Sequence, residues 1–68
     1  MDFAEALKMA KMGSEIARYS WKSKFYLTAE YAKHYPPSIV AVDAVSRKRT
    51  PWQPTTEDLF AEDWWIIP

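Results

Sequence analysis

The sequence predicts a small α+β domain spanning residues 1–68, in which an N-terminal amphipathic helix packs on an antiparallel sheet of four to five strands and a short helix precedes the last strand. Three observations predict it. Phe3, Ala6, Leu7 and Ala10 recur at i, i+3, i+4 and i+7, which places them on one helical face. From Glu15 onward the pattern changes to short runs of strand formers, and those runs are separated by polar turns or by proline.

Residues 2 to 12 form the helix: Asp2 with Glu5 three residues on makes a capping box, Lys8 and Lys11 lie where the macrodipole favours cations, and Gly13 suits a left-handed stop. From Glu15, Ile16, Arg18 and Ser20 alternate with Ala17, Tyr19 and Trp21, and a second strand-forming run follows at Lys24–Ala29. These two runs read as a hairpin turning at Trp21-Lys22-Ser23-Lys24. Residues 30 to 38 fit either a helical turn or an irregular extension, with Pro36-Pro37 interrupting any ladder or helix. Ile39–Val45 is β-branched and nearly all apolar, as expected of a third strand buried on both faces. Ser46-Arg47-Lys48-Arg49 is a charged turn, and Thr50-Pro51-Trp52 is a short edge strand, where a proline's missing donor does no harm. Thr55 with Asp58 at +3 starts the short helix over residues 56–61, and Asp63–Ile67 is the final strand. Internal repeats and low-complexity stretches are absent.

Composition restricts the function classes. A chain of this size buries about 60% of its extended surface, and its core supplies roughly 3 to 5 kcal/mol. With no cysteine and a single histidine, neither a disulfide framework nor a thiolate or multi-histidine metal site can support it, which leaves self-association. The 49% hydrophobic content excludes a disordered segment, and no apolar run approaches the roughly 20 residues of a membrane span. Acids at Asp2 and Glu5, where a signal peptide carries positive charge, favour an intracellular protein.

Catalysis is poorly supplied. His34 reads as a solvent-facing loop residue, and the acidic cluster Glu57, Asp58, Glu62 and Asp63 reads as helix capping and solvation. No catalytic residue, metal site or cofactor is expected. Binding is better supplied: Arg18, Lys22, Lys24 and Arg47-Lys48-Arg49 offer cations, while Tyr19, Trp21, Tyr26 and Trp52 offer faces for a nucleobase. In so small a domain tryptophans are also core material. Zero net charge disfavours polymeric nucleic acid and suits a small anion held by a few converging groups.

Three stretches carry a resemblance: Met1-Asp2-Phe3-Ala4-Glu5-Ala6-Leu7; Ile16-Ala17-Arg18 with Trp21-Lys22-Ser23-Lys24-Phe25; and Trp52-Gln53-Pro54-Thr55-Thr56-Glu57-Asp58-Leu59-Phe60-Ala61-Glu62-Asp63-Trp64. They resemble a widespread family of short phage and prophage proteins, best known from the second Thoeris anti-defence family, and the C-terminal stretch is the specific part. The resemblance implies small α+β proteins that form dimers and tetramers with ligand pockets at subunit interfaces. It also implies sponges that sequester cyclic ADP-ribose-type signals, or cyclic dinucleotides, in the host bacterial cytoplasm without cleaving them. A relative similar to an anti-CRISPR inhibitor gives the alternative, direct binding of a host defence protein through exposed aromatics such as Tyr31, Tyr35 and Trp65. The positions carried over are Trp21, Trp52, Thr55, Thr56 and Asp58, beside the cations Arg18, Lys24 and Arg47. Trp21 or Trp52 would stack on a base, the start of the short helix would meet an anion, and Asp58 would take a ribose hydroxyl or base N–H or simply cap. The chain departs from the family pattern between Tyr26 and Ile39, where it is shorter, at Ser46–Arg49, where an Asp-Gly turn is common, and at Trp65, where an acid is frequent.

Overall fold

The computed structural model describes residues 1–68 and places helix α1 at Phe3–Lys11, strand β1 at Glu15–Arg18, a 3-10 turn at Tyr19–Trp21, β2 at Phe25–Ala32 and β3 at Tyr35–Asp43. Strand β4 follows at Arg49–Pro51, helix α2 at Thr56–Phe60 and β5 at Trp64–Ile67. The five strands form one antiparallel sheet in the order β4-β3-β2-β1-β5. The predicted α+β class, the leading helix and the helix before the last strand all hold, and the strand count is five.

Both helices start as their sequences dictate. The Glu5 N–H donates to the Asp2 carboxylate at 2.9 Å while Asp2 N–H donates to Glu5, and the same reciprocal pair links Thr55 and Asp58, each bond 3.1 Å. Gly13, at φ +104, ends the first helix. Helix α1 lies across the sheet with Ala6 and Ala10 fully buried, their small side chains letting the helix approach Ile16, Leu27 and Trp64 closely. The pairing Ile16↔Leu27, Leu27↔Ala41 and Ala41↔Thr50 fixes that helix-side face; Ala17, Tyr26, Val42 and Arg49 fall on the other.

Three expectations are corrected. Strand β1 ends at Arg18 rather than continuing to Trp21, because Tyr19–Trp21 coil into a 3-10 turn that leads into the tight turn Trp21–Lys24. That turn closes through Lys24 N–H to the Trp21 carbonyl at 3.1 Å, with Lys22 (φ 54) and Ser23 (φ 61) both left-handed, the geometry of a type I′ hairpin turn. Residues 30–38 are neither helical nor a break: β2 and β3 pair through Glu30↔Ser38 to Ala32↔Tyr35, with a register shift between. Pro36 and Pro37 fit because β4 pairs only with Val40, Ala41 and Val42, so the prolines sit beyond its reach and beside the shift. The third strand stops at Asp43, and Val45, expected in it, is 92% exposed in the turn. Val40 and Val42 are buried, whereas Ile39 and Ala41 are only half-buried.

The sheet's two edges differ. Strand β4 carries Arg49 and Pro51, both poor partners for a further strand. On β5, Trp64 N–H donates to the Met1 carbonyl at 3.2 Å and the Met1 amine donates back to the Trp64 carbonyl at 3.0 Å, which covers that end of the edge.

Candidate functional site

Trp64 organises one half of the molecule. It is 1% exposed, its ring meets Phe3 at 5.2 Å, Trp21 at 5.2 Å and Trp52 at 6.0 Å, and its indole N–H donates to the Asp58 carbonyl at 2.9 Å. The two tryptophans read as base-stacking faces are therefore both braced edge-on against the same buried ring. Each remains half-buried, with one side outside the core. Trp21 also stacks on Phe25 at 4.2 Å, and Trp52 packs on Phe3 at 5.7 Å.

Beside this cluster, Arg18 ties the C-terminal segment to the sheet. Its guanidinium donates to Asp58 at 2.8 Å and to Asp63 at 2.8 Å and reaches exposed Glu57 at 3.5 Å. Asp63 also accepts the Ser20 N–H at 3.1 Å. Hydrogen bonds to Asp63 and then Asp58 raise the Arg18 pKa further above its ordinary value. Burial pushes the Asp58 carboxyl up, but the Thr55 N–H and the Arg18 guanidinium outweigh it and hold the carboxyl below the usual range. Asp63 is lowered chiefly by its hydrogen bond to Arg18. The acidic residues thus converge on a cation, and no three His, Asp or Glu side chains are placed to hold a metal ion.

At the same end of the sheet the β1–β2 and β3–β4 turns meet, joined by Ala44 N–H to the Lys24 carbonyl at 3.0 Å. The β3–β4 turn is built on Asp43, one of whose carboxylate oxygens accepts the N–H groups of Val45 (2.9 Å) and Ser46 (2.8 Å). These two bonds, Ser46 first, lower its pKa. Beside the β3–β4 turn lies an open depression of about 350 Å³ lined by Phe25, Ala41, Asp43, Ser46, Lys48 and Thr50. A second, of about 190 Å³, lies between α1 and the β2–β3 hairpin against Leu7, Tyr31 and Ile39.

The eight residues singled out from sequence therefore fall into two groups. Trp52, Thr55, Thr56, Asp58 and Arg18 surround the start of α2, where Asp58 caps the helix and pairs with Arg18, and both Asp58 oxygens are engaged. Trp21, Lys24 and Arg47 belong to the turn end. Arg47 points away from the depression and donates to the Tyr26 hydroxyl at 3.1 Å, on the sheet face opposite α1. Of the depression's own polar groups, Lys48 belongs to the basic triplet that the sequence offers as cations, whereas Asp43, Ser46 and Thr50 carry no such signal. Arg49 opposes Val42 on the face away from α1, whereas Lys48, one residue before β4, lines the depression. The aromatics Tyr31, Tyr35 and Trp65 do not share one patch, since Tyr31 lies on the α1 side, bonding the Lys11 carbonyl at 2.8 Å, while Tyr35 and Trp65 lie on the opposite face.

Comparison with known proteins bears on the whole of this arrangement. A family model described as the Thoeris anti-defense 2-like domain matches residues 1–67. No curated protein matches the chain.

Proposed function

The chain belongs to the Thoeris anti-defense 2-like family, and on that premise we propose that it performs its anti-defence role as a phage sponge, binding a cyclic nucleotide immune signal and holding it without cleavage. The signal is of the cyclic ADP-ribose type or a cyclic dinucleotide, the site of action is the host bacterial cytoplasm, and the working form is a homo-oligomer.

One observation carries this reading beyond family membership: Lys22, Lys24 and Lys48 have no ion-pair partner and lie at the end of the sheet that carries the Trp21–Phe25 stack. Unpaired ammonium groups beside aromatic surface suit a compact anion with flat rings. Trp52 and Thr56 offer further accessible contacts, while Arg18 and Asp58, occupied with each other, act by holding the Trp52–Trp64 region in place. A net charge of zero argues against a long nucleic acid as the ligand. No helix is long and apolar enough to cross a membrane.

The test is recovery of the ligand. Protein saturated with a cyclic ADP-ribose isomer or a cyclic dinucleotide is heated, and the released nucleotide is chromatographed. Sequestration predicts the intact compound in stoichiometric amount; a hydrolysed product would show an enzyme instead.

A further inference from the structure

We propose that the depression lined by Phe25, Asp43, Ser46, Lys48 and Thr50 is a nucleotide subsite within a single subunit, in which Lys48 takes a phosphate and Asp43 a ribose hydroxyl or base N–H. This deepens the nucleotide-binding reading and rests on it.

At about 350 Å³ the depression falls in the size range of small-molecule sites. Its lining pairs opposite charges that leave each other alone: Asp43 and Lys48 border the same space, yet no ion pair joins them. One Asp43 oxygen is fully used by the Val45 and Ser46 N–H groups, which leaves the other free to accept from a ligand. Thr50 has an uncommitted hydroxyl, while the Ser46 oxygen accepts the Lys48 N–H at 3.2 Å and its hydroxyl also stabilises the Asp43 carboxylate. Phe25 supplies the apolar wall, held in place by the Trp21 ring stacked on it. A cation, a carboxylate oxygen, the Thr50 hydroxyl and an aromatic wall suit the phosphate, sugar and base of a nucleoside phosphate.

The site is also preorganised. Asp43 N–H donates to the Lys48 carbonyl at 3.0 Å, Arg47 N–H donates to the Asp43 carbonyl at 2.9 Å, and the Ala44 bond to Lys24 clamps this turn to the neighbouring one. Little ordering of the loop therefore remains to oppose binding.

Amide NMR titration of the full chain with AMP, adenosine and inorganic phosphate tests the assignment. AMP should move the resonances of Phe25, Ser46, Lys48 and Thr50, and adenosine should bind more weakly. Lys48→Met should weaken AMP binding about tenfold, as expected for losing one exposed charge-assisted hydrogen bond. Lys33→Met, at the distant β2–β3 turn, should leave it unchanged. Shifts confined to other residues, or equal AMP affinity in Lys48→Met and the parent, would overturn the subsite. A cyclic nucleotide that binds without moving these amides overturns the subsite and leaves the sponge standing. AMP binding here while no cyclic nucleotide is retained supports the subsite and refutes the sponge.

Discussion

Replacing Arg18 by methionine tests how the C-terminal segment is held. Methionine keeps the unbranched apolar stem and removes the guanidinium, so Asp58, only 8% exposed, keeps the Thr55 N–H as its side-chain partner, and Asp63 keeps Ser20. Breaking a buried ion pair from one side typically costs about 3 to 5 kcal/mol, because the remaining charge stays desolvated. Asp63 is partly open to water, which places the expected loss near the lower end, about 3 kcal/mol. A core of this size supplies no more than roughly 3 to 5 kcal/mol, so the variant should keep about 0 to 2 kcal/mol as a monomer and be marginally stable at neutral pH. Adding Asp58→Asn removes the stranded charge while the amide oxygen still accepts from Thr55, and the double variant should recover about 1 kcal/mol or more. Urea unfolding followed by tryptophan fluorescence measures both. A loss below about 1 kcal/mol in Arg18→Met, or a double variant less stable than the single one, would refute the claim that a buried carboxylate depends on this guanidinium.

Other consequences follow from the same geometry. The Asp58 and Asp63 carboxyls are depressed in the folded state, so the stability they confer is fully present above about pH 5 and falls as pH drops through 4 toward their folded values; acid titration of Arg18→Met should show a shallower fall than the parent. Ser23→Gly places the residue a left-handed turn position favours and should raise unfolding free energy by about 0.5 to 1 kcal/mol, read by urea denaturation. Trp64→Phe leaves the Asp58 carbonyl without its indole donor and should cost about 1 to 2 kcal/mol in the same assay. Trp52→Ala removes a half-buried ring from Phe3 and Trp64 and should cost about 2 kcal/mol as well as weakening ligand, with circular dichroism separating unfolding from lost contact.

The parts legible in the sequence are those whose cause is local. Asp2 with Glu5 and Thr55 with Asp58 mark both helix starts because a capping box is complete within four residues, and the Phe3-Ala6-Leu7-Ala10 stripe needs no knowledge of what it packs on. The segment 30–38 leaves a helical turn and an irregular extension open for a tertiary reason: two prolines forbid a central ladder, but only the extent of β4, set elsewhere in the chain, shows that they lie beyond it and that the extended form, with its register shift, is the one adopted. Arg18 shows the same limit from the functional side. As one basic residue among several it reads as a ligand contact, and its partners Asp58 and Asp63 stand 40 and 45 positions away, so nothing nearby marks it as internal. Lys48 stands one residue before β4 and after the left-handed Arg47, so strand alternation does not show which way it points.

Sequestration of a cyclic nucleotide by an assembled protein is read by native mass spectrometry, which reports subunit number and bound mass in one spectrum. With a panel of cyclic ADP-ribose isomers and cyclic dinucleotides, the oligomer should gain discrete masses equal to intact nucleotide. A protein that gains no mass from any compound in the panel would contradict it.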